Sequence, residues 1–291
     1  MVLAGILIEL LLIVVTMLGV ATLVLVGPDQ FLTALRNYRW RLAAVAAPVG
    51  LLAAILLIRV LTQDAVRRLS WGVVGNPLTG QIFAVEQAIF PTNPVAFLQS
   101  FQSPSLNSFF VFIYIYGYVF LIVFPALAYF ALEDTEELSA LILAYTLNYG
   151  IGLIFYTLFI AYGPRNINPL LFENLLYESF PQVWALTDNV NDNTNVFPSL
   201  HTSLSMTVLF MAWLTREKYP LWLPISAFFS LSVVVATMYL GIHWFSDVVV
   251  GTALAAFSVY IGWNYTVADG AQIAKRYFEW GTARLSRTDR E

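Results

Sequence analysis

The two histidines are the residues of this chain whose type and spacing most directly suggest chemistry. His201 and His243 are the only imidazoles among 291 residues, and each stands where a long apolar run begins. If the runs from Pro198 to Thr215 and from Pro220 to Gly241 each cross a bilayer, the second crossing returns the chain to its starting face. The sequence therefore predicts that both imidazoles meet at one membrane surface.

Three further residues complete a set suited to phosphate. Asp247 follows His243 by four positions, a spacing that shares one helix face, and a neighbouring carboxylate orients an imidazole and stabilises its cation. Pro198 is typical of a first helical position, where free N–H groups attract anions, and Ser199 adds a hydroxyl. Arg165 is the only basic residue in the long preceding loop, and a guanidinium matches phosphate geometry. The set predicts phosphoryl transfer without a metal or other cofactor.

The composition indicates a membrane protein. Hydrophobic residues make up 59% of the chain and charged residues 11%, whereas soluble domains carry about 25% charged residues. Several apolar runs reach the ~20 residues that span a hydrocarbon core, and none alternates as barrel strands do. We therefore predict an all-α, polytopic integral membrane helical bundle, with one domain over residues 1–291. The absence of cysteine excludes disulfides and thiolate metal sites, and no nucleic-acid partner is expected.

About six to seven transmembrane helices are predicted, together with interfacial or re-entrant helices. The candidate spans are Val2–Val26, Leu42–Leu61, Asn107–Leu132, Leu138–Tyr162, Pro198–Thr215, Pro220–Leu240 and Ile242–Thr266. The catalytic core is expected over residues 138–266, with accessory spans over residues 2–61. The first run is too long for a cleaved signal peptide and lacks a basic start, so we expect it to be retained.

Two connections contain elements too short to span. Residues 62–105 are rich in Gly and Pro, and their best helix candidate is Leu78–Phe90, an interfacial or re-entrant segment. It carries Glu86, which could face a site, although the solvated face of a surface helix is a sufficient explanation. In the second connection, Asn168-Pro169 is typical of a helix start, and the residues after it predict a helix lying on the membrane. Residues 188–195 have the composition of a loop.

The positive-inside rule orients the bundle. With seven spans and the N-terminus outside, ten of the 14 basic residues fall on the inner side. The four on the outer side are Arg59, Arg67, Arg68 and Arg165. His201 and His243 fall on the outer side as well, which predicts a multi-pass protein of the cell membrane with an extracytoplasmic active site.

Two segments carry a family resemblance. Phe-Pro-Ser-Leu-His-Thr-Ser (residues 197–203) and Tyr-Leu-Gly-Ile-His-Trp-Phe-Ser-Asp (residues 239–247) resemble the second and third signature motifs of the type 2 phosphatidic acid phosphatase superfamily. More narrowly, Gly-Pro-Arg (residues 163–165) and Thr-Met-Tyr-Leu (residues 237–240) are similar to the branch that contains inositol phosphorylceramide synthases. The strong match covers about residues 163–251.

The resemblance implies roles for the residues that match. His243 is implied as the nucleophile that forms a phosphohistidine, His201 as the general acid and Asp247 as the support of the nucleophile. Ser199 and Arg165 are implied as phosphate ligands, and the substrate as a phospholipid or lipid-linked phosphate among the membrane lipids. The acceptor is water in a phosphatase, or an alcohol such as inositol in a phosphotransferase.

The motifs depart from the family pattern at two positions. No lysine precedes the arginine of the first motif, and Thr237 stands where an arginine is expected six residues before the nucleophile. The phosphate site is therefore short of positive charge. Arg67 and Arg68 lie on the same predicted face, and we hypothesise that one of them supplies the missing cation; simple contact with lipid headgroups is the alternative.

Two other classes of function stay open at this point. One is a metal-dependent membrane enzyme that uses His201, His243 and Asp247 as ligands. The other is a non-catalytic lipid-binding or transport protein, although the chain shows none of the inverted repeats typical of transporters. The oligomeric state is not predicted.

Overall fold

The computed structural model of the protein describes residues 2–73, 76–167, 170–183 and 196–288. These residues form an all-helical bundle, which confirms the predicted fold class. The predicted helix start at Asn168-Pro169 and the predicted loop over residues 188–195 lie outside the described residues.

The helices are numbered along the chain. The N-terminal helices are α1 (Val2–Ala21, continued by a π-helix over Thr22–Val26), α2 (Pro28–Arg36), α3 (Tyr38–Ala44) and α4 (Ala46–Val73). The central helices are α5 (Thr79–Ile89), α6 (Pro94–Gln99), α7 (Pro104–Phe112, continued by a π-helix over Ile113–Gly117), α8 (Tyr118–Phe130), α9 (Glu136–Leu158) and α10 (Leu175–Ser179). The C-terminal helices are α11 (Leu200–Leu214), α12 (Trp222–Tyr239), α13 (Phe245–Asn264) and α14 (Val267–Thr288).

Five helices of the described chain are long and apolar enough to cross a membrane. They are Ala4–Val26, Pro104–Phe130, Glu136–Leu158, Trp222–Tyr239 and Phe245–Asn264. A sixth crossing results if the pair Tyr38–Ala44 and Ala46–Thr62, bent by 62°, is one span. The predicted span Pro198–Thr215 is the 15-residue α11, which is apolar but shorter than the others.

The short helix α11 lies at the centre of the bundle, against α9, α12 and α13. Most of its side chains are apolar or small and buried, and the exposed ones, Trp213 and Leu214, lie at its C-terminal end. Two polar contacts tie it to its neighbours: Asn148 of α9 donates to Thr207 at 3.1 Å and accepts from Ser203. A helix of this length measures about 22 Å, less than the ~30 Å of a hydrocarbon core. One end of α11 therefore lies recessed within the bundle.

The end of the bundle away from the histidines is held by charged and polar contacts; we call it the opposite end. Arg41 of α3 donates to the carbonyls of Phe130, at 2.8 Å, and Leu132. Lys218, in the turn after α11, pairs with Glu137 at the start of α9. These contacts bring the predicted inner basic segments to one end of the molecule.

The predicted surface helix Leu78–Phe90 is present as α5 and docks onto the other end, which we call the site end. Leu78 N donates to Ile160 O at 2.8 Å, and Tyr162 N donates to the Thr79 hydroxyl at 2.9 Å. The solvated-face interpretation of Glu86 is wrong, because only 1% of this residue is exposed. The predicted membrane-surface helix of the second connection is reduced to the single turn of α10.

Candidate active site

His243 lies in the tight turn between α12 and α13. Gly241 adopts a φ of 74°, a left-handed conformation that favours glycine, and a Cβ there would stand 2.6 Å from the Glu173 carbonyl oxygen. The backbone N–H groups of Ile242 and His243 both donate to the Thr237 carbonyl at 3.0 Å. The turn thus fixes the backbone of His243 before the next helix begins.

Asp247 connects this turn to α13. Trp244 is the N-cap of the helix, and its N–H donates to Asp247 Oδ2 at 2.8 Å. The same carboxylate oxygen lies 3.4 Å from His243 Nδ1. The sequence predicted this pairing from i, i+4 spacing on a helix, but His243 precedes the helix, so the capped turn creates the contact. The contact is longer than a standard N–H···O hydrogen bond, and Nδ1 has no other hydrogen-bond partner among the described residues.

The environment of His243 favours the neutral imidazole. Its pKa is lowered to about 3, first by burial and then by the positive charge of Arg165, while a hydrogen bond with the Val196 backbone opposes the shift. Burial acts in this direction because it penalises the charged form. A neutral ring keeps a nitrogen lone pair available for attack on phosphorus.

His201 lies in the first turn of α11. The helix begins at Leu200 and not at Pro198 as predicted; Ser199 is the N-cap, and its hydroxyl accepts from Thr202 N at 3.2 Å. The Ser199 N–H donates to the Asp247 carbonyl at 3.2 Å, so α11 and α13 are joined where both begin. The His201 and His243 ring centroids are 5.9 Å apart. The structure therefore brings both imidazoles to one site.

Arg165 is held against the histidine turn by its backbone. Its N–H donates to Gly241 O at 3.1 Å, and a Cβ on Gly163 would stand 2.2 Å from Ile242 O. The guanidinium lies over the Tyr177 ring, 4.7 Å from its centroid, and Nη2 contacts the Tyr177 hydroxyl at 3.4 Å. The buried Nη1 has no hydrogen-bond partner among the described residues. This donor is free to bind an anion.

Two tyrosines that no motif predicts surround His201. The ring centroids of Tyr114 and Tyr118 each lie 4.8 Å from the His201 ring. Both come from the long span that starts at α7, where the sequence shows only a run of aromatic residues. Aromatic runs are common in buried helices, so this pattern alone gives no signal for a site.

Glu86 makes a second set of contacts that the sequence did not predict. Its Oε1 accepts from Ser246 N at 2.8 Å and from Ser246 Oγ at 3.0 Å, while Oε2 accepts from Asn93 Nδ2 at 3.0 Å. Ser246 stands next to Asp247 in the first turn of α13. Glu86 therefore anchors α5 to the turn that carries the catalytic motif, and a negative charge suits this helix start.

Within the described residues, no contact joins Arg68, one of the two cations hypothesised to complete the site, to the residues of the site. Arg68 is exposed on α4, and the side chain of Arg67 lies outside the described residues. Thr237 is fully buried, and its hydroxyl donates to Val234 O at 2.8 Å. Among the described residues there is no group of three or more His, Cys, Asp or Glu placed to hold a metal ion.

Comparison with known proteins agrees with this arrangement. A family model described as the PAP2 superfamily matches residues 80–261, which is more than half of the chain. The chain belongs to the PAP2 superfamily. No curated protein and no solved structure matches it.

Superfamily membership assigns the chain to the membrane phosphoric ester hydrolases and phosphotransferases. The matched region begins in α5 and ends in α13, and so includes every site residue described above. Helices α1 to α4 lie outside it. Nothing in the match distinguishes the inositol phosphorylceramide synthase branch, which stays a prediction.

Proposed function

We propose that this chain cleaves or transfers the phosphoryl group of a lipid-linked phosphate, through a phosphohistidine and without a metal, at the extracytoplasmic face of the cell membrane. One observation carries the proposal. Two imidazoles lie 5.9 Å apart, centroid to centroid, and only one of them has a carboxylate against its ring. This asymmetry suits one nucleophile and one general acid.

In the proposed first step, Nε2 of His243 attacks phosphorus, because Nδ1 faces Asp247. An N–P bond forms as the bond from phosphorus to the leaving oxygen breaks, and a protonated His201 gives its proton to that oxygen. In the second step His201 takes a proton from water, the water oxygen attacks phosphorus and the N–P bond breaks. The products are the lipid alcohol and inorganic phosphate, and His201 ends protonated as it began.

One cation and several hydrogen-bond donors at the site are suited to the negative charge that spreads over the transferring phosphoryl oxygens. Arg165 offers the unpartnered Nη1. The first-turn N–H groups of α11 point out of the helix start. The Ser199 hydroxyl accepts from Thr202 N and keeps its own proton to donate to a phosphate oxygen.

The depth of the site supports a lipid substrate. His201 lies 13 residues from Leu214, the end of α11 at the opposite end, a rise of about 20 Å. The adjacent α9 starts at the same end and has 23 residues, about 34 Å. The histidine is therefore recessed by more than two helical turns, a depth that a lipid reaches from within the bilayer.

The outer location rests on the basic residues. Arg41 and Lys218 lie at the opposite end, together with the predicted inner segments, and the excess of Lys and Arg marks the cytoplasmic side. The site end would then face outward.

Water is the proposed acceptor, and an alcohol such as inositol is the second candidate. The similarity of Gly163–Arg165 and Thr237–Leu240 to the inositol phosphorylceramide synthase branch favours the alcohol. Each segment bonds to the turn at residues 241–243: Arg165 N donates to Gly241 O, and the Thr237 carbonyl accepts from His243 N. They therefore shape the turn that carries the nucleophile.

The experiment is to trap the intermediate. Purified protein in detergent is mixed with a lipid phosphate labelled in its phosphoryl group and quenched in base, in which phosphohistidine survives. We expect the label to be found on His243, both with and without chelator. The acceptor that the enzyme uses should release the label from His243 faster. Binding of the lipid without label or turnover would indicate the non-catalytic alternative. Activity lost in chelator and restored by a divalent metal would indicate the metal-dependent one.

A further inference from the structure

Arg59 lies in the bent helix pair that forms a candidate sixth crossing, and outside the region that matches the PAP2 superfamily. It stands on α4, which packs along α9. Its guanidinium lies over the ring of Tyr149, 5.7 Å from the centroid, and the residue is half-buried. The side chain therefore contacts the neighbouring helix of the bundle.

Arg59 lies at the depth of His201. Arg59, Tyr149 and His201 each stand 13 residues from the terminus of their helix at the opposite end, a rise of about 20 Å in each case. Arg59 also interacts electrostatically with His201 and with Tyr156. Tyr156 in turn donates to the Pro198 carbonyl at 3.1 Å, next to the cap of α11. Arg59 thus adjoins the site through the tyrosines of α9.

Within the described residues, the positive charge of Arg59 has no counter-ion. None of the ion pairs there includes it, and its guanidinium packs against an aromatic ring. Charged side chains within a bilayer are costly and in most cases serve a function or have a partner. A cation–π contact alone offsets only part of that cost. An anionic ligand would supply the missing counter-charge.

We propose that Arg59 binds the phosphate of the lipid substrate on its way from the bilayer to His201 and His243, at a subsite between α4 and α9. The inference rests on the proposed function. The ligand is the phosphate of a membrane lipid, since Arg59 lies at the depth of the recessed His201 and a guanidinium binds phosphate oxygens bidentately. The subsite adds the positive charge that the motifs lack at Thr237 and before Arg165.

The test compares Arg59→Gln, Arg59→Lys and the control Arg216→Gln. The control removes an exposed arginine that also lies over an aromatic ring, at the opposite end of the bundle. Activity is measured on phosphatidic acid in detergent micelles and on a short-chain, water-soluble phosphate ester. We expect Arg59→Gln to raise KM for phosphatidic acid at least ~10-fold, as loss of a charge-assisted contact does, with a smaller change for the soluble ester. Arg59→Lys should recover part of the loss, because lysine keeps the charge without the planar fork.

Three outcomes would overturn the proposal. One is an Arg59→Gln enzyme no more impaired than Arg216→Gln. Another is an equal loss in Arg59→Gln and Arg59→Lys together with a lower unfolding temperature, which indicates a structural role. The third comes from binding phosphatidic acid to the His243→Ala protein, with and without Arg59→Gln; equal affinities contradict the subsite. This last measurement needs no turnover, so it separates failure of the subsite from failure of the proposed enzymatic function.

Discussion

At the scale of single residues, His243 and His201 differ in their surroundings. His243 faces the Asp247 carboxylate at 3.4 Å, whereas the rings of Tyr114 and Tyr118 stand beside His201. A carboxylate stabilises the cation that forms when an imidazole nitrogen bonds to phosphorus. Aromatic rings with hydroxyl groups provide no such counter-charge. The two histidines should therefore fail in different ways when replaced.

We expect His243→Ala to abolish phosphoenzyme formation with every substrate. His201→Ala should slow labelling by ~100-fold or more with a lipid whose leaving oxygen needs a proton, the usual scale of general acid catalysis. With a p-nitrophenyl phosphate ester, whose leaving group needs no proton, His201→Ala should label at close to the parent rate. Rapid-quench labelling measures both rates, and equal phosphoenzyme yields in the two variants would contradict the assignment.

The pH dependence of His243 provides a second prediction at this scale. Its pKa is lowered to about 3 because burial and the charge of Arg165 disfavour the imidazolium. The ring should therefore stay neutral throughout the range from about pH 5 to about pH 8, where an ordinary histidine titrates. Arg165→Gln removes a positive charge, so the pKa of His243 should rise in that variant.

The chain is suited to this measurement because it has only two histidines. In a His201→Asn protein with isotopically labelled histidine, the single ring signal belongs to His243, and NMR follows it as the pH changes. We expect no titration above about pH 5. A midpoint near the ordinary value of about 6.5 would show that the ring is solvated, contrary to the buried site.

At the scale of elements, the site is assembled from helix starts and the loops between them. Helices α11 and α13 begin side by side, joined by the hydrogen bond from Ser199 N to Asp247 O. A Cβ on Gly251 would stand 2.6 Å from the Ser199 carbonyl oxygen, so this approach requires the glycine. The arrangement lets two motifs that are 42 residues apart in the sequence meet at one site.

Helix α5 is expected to position this assembly through Glu86. Glu86→Ala removes the acceptor for Ser246 N, Ser246 Oγ and Asn93 Nδ2. Hydrogen bonds to a buried carboxylate contribute about 1.5–3 kcal/mol each, and we expect kcat to fall ~10-fold to ~100-fold with little change in KM. Glu86→Gln retains one acceptor oxygen and should keep more activity.

The matched control is Glu178→Gln, which removes an exposed carboxylate at the same end of the bundle. Steady-state kinetics and the rate of phosphoenzyme formation are compared for the three variants. A merely stabilising contact would lower the unfolding temperature of Glu86→Ala while leaving kcat of the folded protein unchanged. That result would remove Glu86 from the positioning of His243 and Asp247.

The structure agrees best with the predictions that rest on local sequence patterns. Apolar runs predicted the bundle, and the motif spacing predicted that His201, His243 and Asp247 come together. Glu86 and the tyrosines were missed because their roles depend on packing between segments distant in sequence. Nothing near Glu86 indicates that α5 folds back onto α13, which it contacts 160 residues further along the chain.

At the scale of the whole molecule, the charges sort between the two ends. Arg41 and Lys218 make contacts at the opposite end, whereas Arg165 and the histidines lie at the site end. Buried bonds at both ends hold the bundle together. Its orientation in the membrane is therefore fixed as a unit, and one measurement at each end determines the compartment of the site.

The last prediction uses the absence of cysteine. Glu178→Cys places a thiol at the site end beside Arg165 and Tyr177, and Glu217→Cys places one in the turn between α11 and α12. Both residues are exposed glutamates, so the pair is matched in chemistry and differs in location.

Because basic residues favour the cytoplasmic side, an impermeant thiol reagent applied to intact cells should label Glu178→Cys alone. Glu217→Cys should react only after permeabilisation. The reverse pattern would put the site in the cytoplasm, and the proposed substrate would then be a lipid of the inner leaflet.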